Sequence, residues 1–279
     1  MIVRTVFLLL LTMSWAAPAL AAALVLDRAA QQGGLVLGRA APGATVTLDG
    51  KTVAVGADGS FALGFSRDAG PSAALSVRWA DGRAETRTLA VAKRKWRIQR
   101  IDGLPPGKVT PSARALKRIH ADSAAIKAVR DRPTPEPWFR GGFAWPTKGR
   151  ISGVYGSQRV LNGKPRRPHL GLDIAAPTGA PVTAAADGVV ALVHPDMFYT
   201  GKTVLIDHGL GVGTSYSHMS AIFVKPGQRV AKGQRIGSVG QTGRSTGPHL
   251  HWGLTWYRLR LDPGLVVGPM PKVRGRKKH

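Results

Sequence analysis

Alternation of apolar and polar residues dominates the chain between residues 23 and 92. The stretch ATVTLDGKTVAV alternates on both sides of Asp49-Gly50, and LSVRWADGRAETRTLAV alternates around Asp81-Gly82. A period of two predicts β-strands, and an Asp-Gly pair between two such runs predicts a hairpin turn. Short strands joined by regular turns are typical of a β-sandwich. We therefore predict a small β domain over residues 23–92.

The PGATVTLDG…ADGSF pattern of this domain resembles bacterial immunoglobulin-like modules, which implies an immunoglobulin-like sandwich.

The period of apolar residues then changes to that of a helix, within a basic linker over residues 93–140. In the linker, Thr110 can cap a helix, Pro111 suits its first position and Pro133 ends the pattern. Four apolar residues share one face of this helix: Leu116, Ile119, Ile126 and Val129. We expect a solvated amphipathic helix packed on a neighbour, with a dedicated binding helix as the alternative.

Residues 141–268 are rich in glycine and show the pattern of short strands. Two segments, residues 179–193 and 227–240, repeat a valine after a glycine, a turn and an apolar strand. This repetition predicts a mainly β, antiparallel, barrel-like hybrid in which two similar hairpins enclose one core. Residues 269–279 form a basic tail.

The first residues predict export from the cytoplasm. Arg4 precedes the apolar run from Val6 to Met13, and Ala19-Leu20-Ala21 fits a cleavage site. This pattern is typical of a secretory signal peptide over residues 1–22, because the apolar run is too short to span a membrane. The prediction is a periplasmic or secreted protein. An uncleaved anchor is the alternative.

The formal net charge of +25 predicts an anionic partner. Export disfavours nucleic acid, so we expect anionic polymers of the cell envelope, no nucleic acid, and a monomer. A merely solvated basic surface is the alternative. The chain has no cysteine, which excludes disulfides and thiolate zinc sites.

Six of the eight histidines crowd into residues 169–251, and two local patterns suit metal chemistry. In HLGLD, His169 and Asp173 offer an imidazole nitrogen and a carboxylate oxygen, both ligands that zinc accepts. In HLH, His249 and His251 would point to the same side of a strand, with Leu250 turned into the core. The two histidines could share one metal. They could equally divide the work, one as a ligand and the other as an acid–base group.

The number of ligands bears on this choice. Catalytic zinc sites use three protein ligands and keep one open position, and His169, Asp173 and one histidine of HLH make three. The last glutamate of the chain is Glu136. A general base in the C-terminal domain must therefore be a histidine or an aspartate.

Three motifs together, HLGLDIAAPTGAPVTAAADGVV, VLIDHGLGVGTSYSHMS and GQTGRSTGPHLHWGL, resemble the LytM/lysostaphin-type zinc metallopeptidases of family M23. The resemblance covers residues 141–265 and implies a zinc ion, antiparallel β structure and hydrolysis of peptide bonds in peptidoglycan. It implies His169, Asp173 and His251 as zinc ligands. It also implies His218 and His249 as catalytic histidines, and we expect His249 to act as the base and His218 to donate to the oxyanion.

Two further histidines of this region are expected to be structural. His208 lies near a turn, and His194 precedes a proline and is expected in a loop. Two other functions remain as alternatives to hydrolysis. Some members of the family have lost ligands and regulate other wall hydrolases, and a basic protein could simply bind anionic glycan. The presence of all five site residues favours the enzyme.

Overall fold

The computed structural model describes residues 24–104 and 106–271. The predicted signal peptide (1–22) and residues 272–279 of the predicted tail lie outside the described residues. Within the described part of the chain, none of the helices has the length and hydrophobicity needed to cross a membrane. The chain is mainly β, as predicted.

Residues 24–92 form a β-sandwich. A sheet in the order β1-β3-β6 faces a second sheet in the order β2-β8-β7-β4-β5. Apolar side chains from both sheets, among them Val46, Phe61 and Leu75, are buried between them. The eight strands are β1 (Val25–Leu26), β2 (Ala30–Gln31), β3 (Leu35–Arg39), β4 (Thr45–Leu48), β5 (Lys51–Val53), β6 (Ser60–Gly64), β7 (Ser72–Arg78) and β8 (Ala84–Ala92).

Both predicted hairpins are present in the sandwich. Asp49 and Gly50 join β4 to β5 with φ angles of 50° and 75°. Two successive positive φ angles define the type I′ turn, which Asp-Gly adopts at low cost. Gly82, with φ 87°, lies in the turn that joins β7 to β8.

The linker contributes a strand and two helices: β9 (Ile98–Ile101), α1 (Pro106–Val109) and α2 (Ala113–Arg130). The cap of α2 is Ser112, whose hydroxyl accepts from the backbone N–H of Ala115, and not the predicted Thr110. The predicted apolar face is only partly buried: Ile119, Ile126 and Val129 are half-buried, and Leu116 is exposed. The helix also contacts the C-terminal domain through polar residues, among them Asp122, which accepts from the backbone N–H of Phe198 at 2.7 Å.

The C-terminal domain is built on one curled antiparallel sheet. Its main path runs β10-β13-β20-β17-β16-β15-β18, with β14, β19 and β21 attached. Its strands are β10 (Arg150–Gly153), β11 (Gln158–Leu161), β12 (Lys164–Pro165), β13 (Leu172–Ala175), β14 (Pro181–Thr183), β15 (Gly188–Met197), β16 (Gly201–Asp207), β17 (Val212–Ile222), β18 (Arg229–Val230), β19 (Arg235–Val239), β20 (His249–Trp256) and β21 (Leu259–Leu261).

The two repeated segments pair with each other, as a duplicated hairpin should. Strand β14 of the first segment pairs with β19 of the second, and β15 pairs with β18. Val182, Val190, Val230 and Ile236 from these strands are buried in the same core. The predicted wrapping of two similar hairpins around one core is thus present.

The sandwich and the C-terminal domain share a buried interface. Leu35 and Ala62 of the sandwich are buried in one cluster with Leu254 and Leu261 of the C-terminal domain. Linker strand β9 also pairs in parallel with β11 and completes a small sheet in the order β12-β11-β9. The linker is therefore an integral part of the C-terminal fold.

Candidate active site

Strand pairing brings the two halves of the predicted ligand set together. In the β13–β20 pair, Asp173 lies directly opposite His251, although 78 residues separate them in the chain. Side chains of directly opposed residues project from the same face of a sheet, a few ångströms apart. The sheet register alone therefore places a carboxylate beside an imidazole.

His169 reaches the same point from the loop before β13. Its backbone N–H donates to the carbonyl of Ser157 at 2.8 Å, and its carbonyl accepts from the N–H of Gly156 at 2.7 Å. Its ring Nδ1 lies 3.2 Å from the carbonyl oxygen of Val154, an acceptor only, so Nδ1 donates. This contact fixes the tautomer and leaves Nε2 with a lone pair.

The three side chains present their donor atoms to one another. Nε2 of His169 lies 3.0 Å from Nδ1 of His251, and Oδ1 of Asp173 lies 3.1 Å and 2.7 Å from these two nitrogens. Two imidazole nitrogens and one carboxylate oxygen form a donor set that zinc accepts. These three residues are thus brought together in a geometry that fits a metal ion, and we call them the metal triad.

The electrostatics of the triad favour the protonation states that bind a metal. Burial would raise the pKa of the Asp173 carboxyl, but the adjacent imidazoles of His169 and His251 outweigh burial and hold that pKa well below its usual value. Burial lowers the pKa of His251 to about 4, against the opposing effect of Asp173. Metal binding needs a carboxylate and a neutral imidazole, and both are the forms present near neutral pH.

Two glycines make room for the triad. A Cβ atom on Gly171 would lie 2.5 Å from Cε1 and 2.6 Å from Nε2 of His251. A Cβ atom on Gly153 would lie 2.3 Å from Oδ2 of Asp173. Neither glycine needs a positive φ, so close approach is the reason for glycine at both positions.

Arg159 is a member of the site that the sequence analysis did not single out. Its guanidinium Nη2 lies 3.0 Å from Oδ2 of Asp173, the carboxylate oxygen turned away from the two triad histidines. Arg159 lies on β11, in the basic segment 157–169 that precedes His169. Its only sequence signal is its place in this basic segment, close before the predicted ligand His169.

His218 and His249 form a second group, the histidine pair, beside the triad. Their ring centroids are 4.7 Å apart, and the ring of His218 lies 6.1 Å from that of His251. Nε2 of His249 lies 3.8 Å from Oδ1 of Asp173. All five predicted site residues therefore meet in one cleft.

Each ring of the pair is anchored through Nδ1 to the loop between β19 and β20. Nδ1 of His218 lies 2.7 Å from the carbonyl oxygen of Thr242, and Nδ1 of His249 lies 2.8 Å from that of Gly247. A carbonyl only accepts, so both Nδ1 atoms carry the proton. In the neutral rings, both Nε2 atoms are therefore hydrogen-bond acceptors.

His218 occupies an unusual backbone position. Its φ of 62° lies in the left-handed region, where non-glycine residues are uncommon. The pairing of β16 with β17 shifts register here, between the pairs Lys202–Met219 and Val204–Tyr216. Such bulges re-aim a side chain, which is how a residue of a buried strand reaches the cleft. Burial, reinforced by His249 and His251, lowers the pKa of His218 to about 3.

The other histidines of this region lie outside the cleft. His208 is fully buried, with Nδ1 2.6 Å from the carbonyl oxygen of Asp187 and Nε2 2.8 Å from Oγ1 of Thr214. His194 lies within β15, which corrects the predicted loop, and it is 3.8 Å from Asp122 of α2. A register shift follows His194, so the strand tolerates the next residue, a proline.

The linker supplies one wall of the cleft. Gln99 and Leu104 line it together with Arg159 and Leu161, and the loop after β19 contributes Arg244. This wall follows from the parallel pairing of β9 with β11.

Comparisons with known proteins agree with this site. The sequence profile of peptidase family M23 matches residues 167–263. Peptidoglycan DD-endopeptidase ShyA of Vibrio cholerae is 48% identical over 111 residues, which are 39% of this chain and 25% of that protein. DD-carboxypeptidase/endopeptidase Mpg of Neisseria meningitidis is 45% identical over 107 residues, 38% of this chain and 24% of that protein. The chain thus spans about a quarter of the length of these relatives.

A solved structure extends the similarity to most of the chain. The crystal structure of an M23 peptidase from Pseudomonas aeruginosa matches with a TM-score of 0.67 and 31% identity. The match covers 86% of this chain and 96% of that one, and so includes residues outside the segment matched by the family profile. The fold, the five converging side chains and these similarities lead to one conclusion: the chain belongs to peptidase family M23.

Proposed function

We propose that the protein is a zinc-dependent endopeptidase that hydrolyses peptide cross-links in bacterial peptidoglycan. The observation that carries the proposal is the convergence of a two-histidine, one-aspartate donor set and two further histidines in one cleft. The names of the relatives from Vibrio cholerae and Neisseria meningitidis support peptidoglycan as the substrate.

The metal triad would hold the zinc ion. Three protein ligands are the number typical of catalytic zinc, because a fourth would close the site. A bound zinc ion supplies Lewis-acid polarisation of the scissile carbonyl and acidifies water toward neutral pH. Arg159 holds the outer oxygen of Asp173 and thereby keeps the inner oxygen turned toward the triad histidines.

His249 is proposed as the general base. Its Nδ1 proton is committed to the carbonyl of Gly247, so its Nε2 lone pair is free to accept a proton beside the triad. In this role, His249 takes a proton from the attacking water and returns it to the leaving amine. Such transfers contribute about 10²–10⁴-fold to the rate.

The role of His218 follows from its tautomer. The expected donation to the oxyanion needs a proton on Nε2, but in the neutral ring the proton is on Nδ1, bound to Thr242. The lowered pKa keeps the ring neutral in the resting site. We therefore propose that the neutral His218 ring accepts a hydrogen bond from the attacking water through Nε2, and that donation to the oxyanion would require a separate proton taken from solvent.

Digestion of purified peptidoglycan tests the proposal. Zinc-loaded protein should convert cross-linked muropeptides into fragments whose masses correspond to hydrolysis of a peptide bond, and His249→Ala protein should not. If neither protein hydrolysed the wall, but both raised its hydrolysis by another wall hydrolase to the same extent, the regulator would be supported instead. Binding to the wall without hydrolysis by either would support the glycan-binding alternative.

We also propose that the protein is exported and that its positive charge strengthens binding to anionic envelope polymers. Predicted cleavage after Ala21 supports export, and the net charge of +25 supports the binding. N-terminal sequencing should find a mature chain that starts near Ala22. A soluble cytoplasmic protein that retains Met1 would contradict export.

A further inference from the structure

We propose that Arg159 and Arg244 form a subsite for a free carboxylate of the substrate, beside the metal triad. This inference rests on the proposed function, since it assumes that a peptide enters the cleft. It adds a requirement on the substrate that the five predicted site residues do not impose: the peptide must carry a free carboxylate close to the bond that is cut.

Both guanidinium groups line the cleft that contains the metal triad and the histidine pair. Arg159 reaches it from β11 and contacts Asp173. Arg244 reaches it from the loop between β19 and β20. Its backbone N–H donates to the carbonyl of Tyr199 at 2.7 Å, and its guanidinium lies 4.3 Å from the centroid of the Tyr199 ring. Stacking on an aromatic ring holds the planar group in place.

The charge of the cleft favours an anion. Among the described residues that line it, Asp173 is the only carboxylate, and it is a proposed metal ligand. The positive charge of the two arginines would add to that of the metal. Arg159 and Arg166 both help to lower the pKa of Arg244, after the larger effect of burial, so the three cations are close enough to repel. An anionic ligand would relieve this repulsion.

Arg159 also has an unused hydrogen-bond donor. Its Nε is buried, and no acceptor contacts it in the described part of the chain. A buried donor without a partner destabilises the free protein, and more so in a charged group. Because only Nη2 is engaged, by Asp173, Nη1 and Nε are the donors left for a ligand.

A carboxylate is the anion that a peptide substrate can offer. Guanidinium groups bind carboxylates through paired, charge-assisted hydrogen bonds. A carboxylate held here would fix the register of the peptide, so that one carbonyl lies over the triad. The carboxylate could belong to a side chain or to the end of the peptide.

Synthetic cross-linked stem-peptide dimers separate these sources. We would compare three forms: both carboxylates free, the side-chain carboxylate as a carboxamide, and the terminal carboxylate as a carboxamide. Wild-type protein should lose about ten- to a hundredfold in kcat/KM with one carboxamide, the range expected for one charged hydrogen-bonded contact. The form that loses activity identifies the source.

Variants test whether the arginines carry this preference. Arg244→Met should bring the free and amidated peptides close to the same kcat/KM, Arg244→Lys should keep part of the preference, and Arg159→Met should reduce it while zinc content is monitored. Lys225→Met, an exposed cation outside the cleft, should change nothing. Equal cleavage of all three peptides by wild-type protein, or an equal loss for all three in Arg244→Met, would overturn the subsite.

Binding to zinc-loaded His249→Ala protein separates this inference from the proposed function. Calorimetry should show the same preference for the free carboxylate, and the preference should disappear in the Arg244→Met/His249→Ala double variant. Preferential binding without cleavage by wild-type protein would contradict the endopeptidase and leave the subsite standing. Equal binding of the three peptides would contradict the subsite.

Discussion

The metal triad and the histidine pair lie in one cleft, yet different kinds of structure hold them. Asp173 and His251 are opposed in paired central strands, and the triad atoms contact one another. His218 and His249 are each anchored by Nδ1 to a carbonyl of the loop after β19. Asp173 and His251 therefore depend on sheet register and close packing, whereas the rings of the pair also depend on one loop and, for His218, on a bulge. A change in one group should leave the other largely intact.

Removal of the triad carboxylate should have the largest effect. Asp173→Ala removes one donor atom and the negative charge that offsets a dication, so we expect loss of stoichiometric zinc and activity at background. Metal analysis of the purified protein measures this. Asp81→Ala, which removes an exposed carboxylate of the sandwich, is the control and should keep both. Stoichiometric zinc in Asp173→Ala protein would refute the proposed ligand set.

A buried histidine outside the cleft gives the next largest effect, on stability. Burial lowers the pKa of His208 to about 4, from an ordinary value of 6.5. The unfolded chain takes up a proton below pH 6.5, while the native ring does not until about pH 4. The free energy of unfolding should therefore be fully present above pH 6.5 and fall, on the order of 3 kcal/mol, as the pH drops to about 4.

Urea unfolding of metal-free protein at pH 7 and pH 5 measures this loss. His218 and His251 also have lowered pKa values, so the contribution of His208 is the difference between wild type and His208→Gln. The variant should be less stable at pH 7 and lose less stability at pH 5. Identical losses in the two proteins would show that His208 does not contribute.

A change in packing behind the triad should have a smaller effect. In Gly171→Ala, the new methyl group would press on the ring of His251, and such overpacking typically costs about 1–3 kcal/mol. We expect zinc affinity to fall by about tenfold or more, while the anchors of the histidine pair remain. Gly268→Ala is the matched control, because nothing lies within 4 Å of its added Cβ atom. Unchanged zinc affinity in Gly171→Ala would show that the ring can shift freely.

Local patterns predicted the parts of the fold that depend on local physics. The period of two placed His249 and His251 on one side of a strand with Leu250 buried between them, as the structure shows. The Asp-Gly turns and the pairing of the repeated segments are present for the same reason, since turn chemistry and side-chain alternation act over a few residues.

The features that the sequence did not reveal depend on contacts between residues far apart in the chain. Arg159 contacts Asp173, and Gln99 lines the cleft, because β11 pairs with a strand about 60 residues earlier in the chain. The helix α2 has apolar positions at helical spacing, but they are only half-buried, and a polar contact of Asp122 with the turn after β15 adds to the packing. His194 lies in a strand because a register shift accommodates the following proline. None of these features leaves a local signature.

The central claim is the division of labour within HLH, in which His251 binds the metal and His249 transfers the proton. Zinc content and peptidoglycan hydrolysis, measured side by side on His249→Ala and His251→Ala proteins, test it most directly. We predict that His249→Ala keeps one zinc per chain and loses about 10²–10⁴-fold in activity, while His251→Ala loses both. Loss of zinc in His249→Ala with retention in His251→Ala, or full activity in His249→Ala, would contradict the account.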